Sequence, residues 1–301
     1  MKHTKIAIIG AGSVGATTAY AILLQGITAE LLLVDVNDLR CKGEMYDLCD
    51  AIPFSKTSKV RQATTQEAAQ ADIIIITAGL AQKPGQTRRE LLEANKEVLS
   101  AIFAQLKPLN KEAIIIIVTN PVDVLTFLAQ KLSGLPHNQV FGSGTFLDSQ
   151  RLRGLISQKI GIAEQSIHAY VIGEHGDTQF PVWSSAQIGG MPLIKFPQLD
   201  RTTLELIAQE TRKKAYEIIV CKGATFFGIA ACMSAICENI IFNRRRVLPL
   251  SCYNERLGVY LSMPVVLGES GIEQILPVSL DQEEQEKLAF CVEKLKSANL
   301  V

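Results

Sequence analysis

The stretch KIAIIGAGSVGATTAY (residues 5–20) decides how this chain reads. KIAII is a short aliphatic run with no polar alternation, the pattern of a strand covered on both faces of a parallel sheet. GAGSVG (10–15) follows at once, and residues 13–26 carry helical patterning. Between a strand and a helix, G-x-G-x-x-G has a mechanical meaning. Gly10 permits a tight turn, Gly12 lets the backbone approach a pyrophosphate, and Gly15 lets helix and strand pack closely. The helix start, at Ser13, Val14 and Gly15, offers free N–H groups and partial positive charge to phosphates. Asp35 closes the next run, ELLLVD (30–35), 20 residues after Gly15. A carboxylate there accepts from a ribose 2′-OH and repels a 2′-phosphate, so the predicted cofactor is NAD rather than NADP.

Outward from this unit the same rhythm continues. DIIIIT (72–77) and AIIIIV (113–118) are further aliphatic runs, with helix-patterned segments at 39–50, 88–107 and 121–133. A short strand near 139–142 completes the set. Strand–helix repetition of this kind predicts right-handed βαβ units and a doubly wound parallel sheet. Past Gly144 the rhythm changes. A helix expected over 145–160 leads into HAYVIGEHGD (168–177), followed by hairpin material in WSSAQIGG and MPLIKF, and helices over 201–221 and 223–242. Strands are expected in LGVYLSMPVVLG (257–268) and GIEQILPVSL (271–280), then a last helix that starts acidic and ends basic. The expected architecture is α/β, with a doubly wound unit over 1–143 and a mixed α/β unit over 144–301.

The 301 residues carry 30 Lys+Arg and 30 Asp+Glu. Before Phe146 there are 14 basic and 13 acidic residues, and from it onward 16 and 17, so neither half has the basic surplus that phosphate-backbone binding needs. No nucleic-acid partner is expected, and Arg244-Arg245-Arg246 reads as a solvated helix end. Seven cysteines, odd in number and without CxxC spacing, read as reduced thiols of a cytoplasmic protein. No metal is expected, because no Cys/His cluster has ligand spacing. The uncharged stretch 6–29 superficially resembles a signal peptide, but four glycines break it, and neither it nor 226–237 reads as a membrane span.

Four motifs beyond the glycine loop carry chemistry. TAGLAQKPGQTRREL (77–91) places a Gly/Pro loop and Arg88 at the carboxyl end of a strand, where a substrate lid would sit, though a plain connector with solvated arginines reads the same way. VTNPVD (118–123) ends another strand, with Asn120 either a polar contact or a helix cap and Pro121 suited to the first helical position. GTFLDSQRLR (144–153) sets Asp148 and Arg151 on one helix face, at minimum as a local ion pair. GEHGDT (173–178) flanks His175 with glycines, an odd setting for a core histidine and a suitable one for proton transfer.

Together GAGSVG, Asp35, QKPGQTR, VTNPVD, GSGTFLDSQRLR, IGEHGDTQFPVWS and KGATFFGIA resemble the L-lactate/malate dehydrogenase family, in family order and over essentially the whole chain. The resemblance implies a Rossmann domain followed by a mixed α/β catalytic domain. It also implies reversible hydride transfer between NADH and the carbonyl carbon of a 2-oxo acid. His175 would donate the proton to the carbonyl oxygen, and Asp148 would hold it and favour its charged form. Arg151 would grip the substrate carboxylate through paired hydrogen bonds. Arg88 would polarise the carbonyl, and Asn120 would hydrogen-bond near the substrate oxygen and nicotinamide. Thr225 and Ile229 match pocket-lining positions, and Thr77, Ala78, Gly79, Asn95 and Val118 match the cofactor groove.

The family's specificity position falls on Gln82. Oxaloacetate brings a second carboxylate that needs an added cation, whereas pyruvate would leave such a cation buried and unpaired. Neutral Gln82 therefore points to pyruvate/lactate, an L-lactate dehydrogenase activity. The alternative is a malate dehydrogenase or a broader 2-oxo-acid reductase, and Leu80-Ala81 look more like the malate-type loop. Arg153 and His168 match an effector site for fructose 1,6-bisphosphate at a subunit interface in bacterial relatives, which would make the enzyme allosteric. The resemblance further implies a homo-oligomer, a homotetramer of bacterial type or else a dimer, working in fermentation and glycolysis.

Overall fold

The computed structural model describes residues 4–55, 59–80 and 87–299. In chain order these form β1 (Lys5–Ile9), α1 (Ser13–Gln25), β2 (Glu30–Val34), α2 (Asp38–Ala51), β3 (Lys59–Gln62), α3 (Thr65–Ala68), β4 (Ile73–Ile76), α4 (Arg88–Gln105), β5 (Ile114–Ile117), α5 (Val122–Ser133) and β6 (Val140–Gly142). There follow α6 (Phe146–Ile160), the short strands β7 (Ile167–His168), β8 (Val171–Ile172), β9 (Phe180–Pro181), β10 (Gln187–Ile188) and β11 (Met191–Pro192), then α7 (Arg201–Lys222) and α8 (Phe227–Ile241). The antiparallel strands β12 (Arg246–Asn254), β13 (Val259–Gly268) and β14 (Gly271–Ile275) precede α9 (Gln282–Asn299).

The aliphatic runs form the sheet centre. β4 and β5 are each four isoleucines, paired in register from Ile73↔Ile114 to Ile76↔Ile117, and all are 3 % exposed or less. Burying such a side chain contributes roughly 1.5–3 kcal/mol each, so the run needs cover on both faces. Parallel pairing gives the order β6-β5-β4-β1-β2-β3, the doubly wound arrangement expected, with its order reversing between β1 and β4. The ligand crevice of such a sheet lies outside the strand ends at that reversal, beside the glycine loop after β1.

Two strands differ from the sequence reading. β3, KVRQ, is an edge strand whose charged Arg61 pairs with Glu30 and Glu67, each at 2.7 Å, so it lacks an aliphatic signature. β12 begins within the basic run that read as a helix end. α8 stops at Ile241, Asn243 and Arg245 take positive φ in a turn, and Arg246 opens the strand. Pro249 further disguises β12, because proline usually argues against a central strand. It is tolerated because it lies opposite Pro264 of β13, a pair that needs no N–H from either residue. β12 also joins β6 through Ser251↔Gly142, so β12, β13 and β14 extend the sheet to nine strands across residue 143. Residues 276–280, expected as strand, lie beyond β14.

All seven cysteines are free thiols, and no group of metal-ligating side chains occurs among the described residues. No described helix is long and apolar enough to cross a membrane.

Candidate active site

The glycine loop is fixed by close packing. Gly10 has φ +108° and lies so near Ala78 that a Cβ would come within 2.5 Å of its backbone nitrogen, and a Cβ on Gly15 would collide with the Gly10 carbonyl. Gly12 is different: nothing lies within 4 Å of where its Cβ would be. Its missing side chain serves no internal contact and leaves a cradle over the loop. α1 starts there with Gly12 at its N-cap and no side chain capping it, so the first amides are free for an anion. Asp35, at the end of β2, accepts from the Ala11 N–H at 2.6 Å and the Asn37 N–H at 2.9 Å. Those two bonds aim its carboxylate at the loop, where spare lone pairs can take ribose hydroxyls. Thr77 Oγ donates to the Gly10 carbonyl at 2.8 Å, and the Ala78 N–H to the Ile9 carbonyl at 2.8 Å. An open cradle, free helix amides and a placed carboxylate fit a nicotinamide dinucleotide.

Asn95 has a structural task. Buried at 1 % exposure, its Oδ1 accepts from the Leu80 N–H at 2.7 Å and its Nδ2 donates to the Asn120 carbonyl at 2.8 Å. It thus clips together the segments leaving β4 and β5, alongside Gly79, which packs on Thr119. Val118 is partly buried against the core. α5 begins at Val122, one position later than expected, with Pro121 rather than Asn120 at its N-cap. The Asn120 side chain is left to line the cleft.

That cleft, of about 770 Å³, is lined by three of the predicted residues, Asn120, Asp148 and His175, but not by Arg151. His175 Nδ1 and Asp148 Oδ2 are 2.8 Å apart. A carboxylate can only accept, so Nδ1 carries the proton and Nε2 is left for the cavity. Arg151 Nη1 lies 3.2 Å from the other oxygen, Asp148 Oδ1, with 12 % of its side chain exposed. Burial works against the charged imidazolium, but the charge and hydrogen bond of Asp148 outweigh it and raise the His175 pKa above its ordinary value. Burial also opposes the charged Asp148, yet His175, Arg151 and the Gln179 amide together hold its pKa below the usual carboxylate range. The pair is an imidazolium–carboxylate poised to give up a proton.

Thr225 and Ile229 do not line this cleft. They stand at the start of α8, where a Cβ on Gly228 would come within 2.9 Å of Leu147, so α8 abuts α6 beside Asp148. Arg153 points elsewhere: its Nε donates to the Ala169 carbonyl at 3.1 Å, and its guanidinium lies 5.0 Å from the Tyr170 ring centre. His168 is exposed, one residue before Ala169. Thr87 and Glu90 form a capping box that starts α4 at Arg88, whose side chain, like Gln82 and the rest of 81–86, lies outside the described residues.

The sequence reading passed over Asp123, Glu174, Gln179 and Arg212, and gave the last helix, which it did expect, no part in the cleft. Asp123 stood in a quoted motif without being singled out. The α9 residues Phe290, Glu293 and Lys294 line the mouth with no local signal at all.

A doubly wound sheet with a dinucleotide cradle, joined to a histidine–carboxylate pair with an arginine beside it, defines an NAD-dependent oxidoreductase. The family's NAD binding domain matches residues 4–142 and its α/β C-terminal domain residues 145–299, so the chain belongs to the lactate/malate dehydrogenase family. It is 46% identical to L-lactate dehydrogenase A of Rhizopus oryzae, over 98% of this chain and 92% of that one. It is 40% identical to L-lactate dehydrogenase of Lacticaseibacillus casei, over 98% and 93%. Among solved structures, the minor L-lactate dehydrogenase of Enterococcus mundtii superposes with a TM-score of 0.95 at 34% identity, covering 99% of this chain and 98% of that one. A lactate dehydrogenase from a Medee basin deep-sea metagenome library gives 0.94 at 36% identity, with the same coverage.

Proposed function

We propose that this chain is an NAD-dependent L-lactate dehydrogenase that interconverts pyruvate and (S)-lactate. The carrying observation is the His175–Asp148 pair at 2.8 Å in a cleft that also presents Asn120. Bound NADH supplies the hydride. The chain's own residues do the rest. His175 donates its Nε2 proton to the carbonyl oxygen during reduction and recovers it during oxidation. Asp148 fixes the ring and stabilises the imidazolium. Arg151 takes the substrate carboxylate with the guanidinium N–H groups that Asp148 leaves free. Arg88, at the start of α4, polarises the carbonyl, and Asn120 hydrogen-bonds beside it. Residues 1–143 serve as the cofactor half and 144–301 as the substrate half.

NADH oxidation measured with pyruvate and with oxaloacetate tests this reading. A higher kcat/KM for pyruvate is expected. A higher value for oxaloacetate means a malate dehydrogenase, and no turnover with either ends the enzymatic reading. We further take the enzyme to be a cytoplasmic homotetramer in which Arg153 and His168 face fructose 1,6-bisphosphate between subunits. Adding the bisphosphate to the same assay should lower the KM for pyruvate; an unchanged KM and oligomeric state removes the effector.

Arg151→Lys keeps the positive charge and loses the planar fork. The KM for pyruvate should rise by about 10- to 100-fold, the loss of one charge-assisted hydrogen bond, while NADH affinity is unaffected. Steady-state kinetics with a fluorescence titration of NADH measure both. An unchanged KM would place the substrate carboxylate elsewhere.

A further inference from the structure

Three consecutive backbone positions of the His175 loop are each tied to a different element. Gly173 exchanges hydrogen bonds with Ser262 of β13 at 3.0 and 2.8 Å. The Glu174 N–H donates to Cys291 Sγ on α9 at 3.0 Å. The His175 N–H donates to Asp123 Oδ2 on α5 at 2.7 Å, and Ser251 Oγ of β12 donates to Asp123 Oδ1 at 2.6 Å.

Of these anchors only Asp123 can carry charge. It is 3 % exposed, and no cation pairs with its carboxylate among the described residues. Holding two donors requires only a neutral acceptor, and a buried carboxylate is a costly way to do it. The charge has a beneficiary. Asp123 stands in the first turn of α5, three residues after Asn120, and its field acts on the His175 ring.

We infer that Asp123 is a second positioning carboxylate for His175: it holds the loop through the main chain, and its charge favours the imidazolium that donates the proton. The inference rests on the proposed reaction but can be tested apart from it. Burial pushes the Asp123 pKa up to about 6, while the Ser251 and His175 hydrogen bonds and the charge of His175 favour its ionised form. The groups facing His175 are Asp148 and Arg151 from α6 and Asp123 from α5, while Glu174 from the loop acts on Asp123. Those facing Asp123 also include the thiols of Cys252 and Cys291, which burial raises to about 12 and about 11 and so keeps neutral.

Asp123→Asn can keep both hydrogen bonds, its oxygen taking the His175 N–H and its amide donating to Ser251, while removing the charge. Asp123→Ala removes both. In wild type, kcat/KM for pyruvate reduction should fall as pH rises through the raised His175 pKa, because the proton donor is lost. In Asp123→Asn that basic limb should move down by about 0.5–1 pH unit, the effect of deleting one nearby negative charge. Asp123→Ala should also lower kcat by about 10- to 100-fold through the loosened loop, with the KM for NADH unchanged.

A second measurement needs no turnover: carbethoxylation of His175 by diethyl pyrocarbonate, followed across pH by mass spectrometry, reports the ring's own pKa. It should fall by the same amount in Asp123→Asn. If wild type does not reduce pyruvate but this shift is seen, the reaction is wrong and the Asp123 assignment stands. If Asp123→Asn leaves both profiles where wild type has them, Asp123 is only a structural acceptor and the inference is overturned. Should Asp123→Ala fail to fold, the near-isosteric Asn variant decides alone.

Discussion

Replacing His175 by Asn is expected to lower kcat for pyruvate reduction by about 10²–10⁴-fold, the range that a positioned general acid supplies. The hydride can still arrive, but the developing alkoxide would then take its proton from water in a cleft arranged around an imidazolium. NADH binding should be unchanged in a fluorescence titration, since none of the His175 hydrogen bonds reaches the glycine loop or Asp35. The residual rate should also lose its basic limb, because no titrating donor remains. A further cost falls on Asp148. At 2 % exposure, and deprived of the imidazolium, it keeps only Arg151 and the Gln179 amide. The sign of this effect is fixed by the shifts. Raised in the fold, His175 contributes stability below its unfolded value that is lost as pH rises through the folded one. Lowered in the fold, Asp148 contributes stability that is lost as pH falls. The variant's melting temperature should therefore drop most between the two, above the carboxylate range and below the folded His175 value, and the drop should shrink at lower and higher pH. If kcat survives the substitution, another group donates the proton.

The part of this molecule that a reader of the sequence can see is the part set by local chemistry. Ile73–Ile76 and Ile114–Ile117 announce buried strands because both faces are covered and no polar residue interrupts them. GAGSVG announces its turn because the packing against Ala78 and Thr77 tolerates no side chain at Gly10 or Gly15. β3 is hidden because an edge strand can carry Lys59 and Arg61, and β12 because its proline is excused only by the proline opposite. The same division runs through the cleft. His175, Asp148 and Arg151 are legible from residue type, spacing and family likeness. What holds them is not, since Asp123 lies 52 positions from His175, Ser251 lies 128 from Asp123, and Cys291 lies 117 from Glu174. A serine, a cysteine and an aspartate at such separations carry no pattern until the sheet and α9 bring them to one loop. Buried networks of this kind are specified by topology rather than by neighbouring residues.

Gln82→Arg should swing the ratio of kcat/KM for pyruvate over oxaloacetate by about 10²–10⁴-fold toward oxaloacetate, the worth of a buried charge with or without its partner. Within the described cleft, cations and acids are already matched, four against four: Arg89, Arg212, Lys294 and the protonated His175 line it, and so do Glu174, Asp177, Glu293 and Asp148. In the proposed reaction Arg151 takes the carboxylate that both substrates share. A second carboxylate therefore enters a site with no surplus positive charge and loses its hydration without compensation. An arginine at position 82 would supply that charge. With pyruvate, whose methyl occupies the same space, the arginine would instead be desolvated and unpaired, so one substitution should help one substrate and harm the other. Measuring both substrates on wild type and variant separates this from a general loss of activity, which would lower the two rates together. A ratio that does not move would shift the selection to the other cations lining the cleft, Arg89, Arg212 and Lys294, and truncating each in turn would show which one meets a second carboxylate.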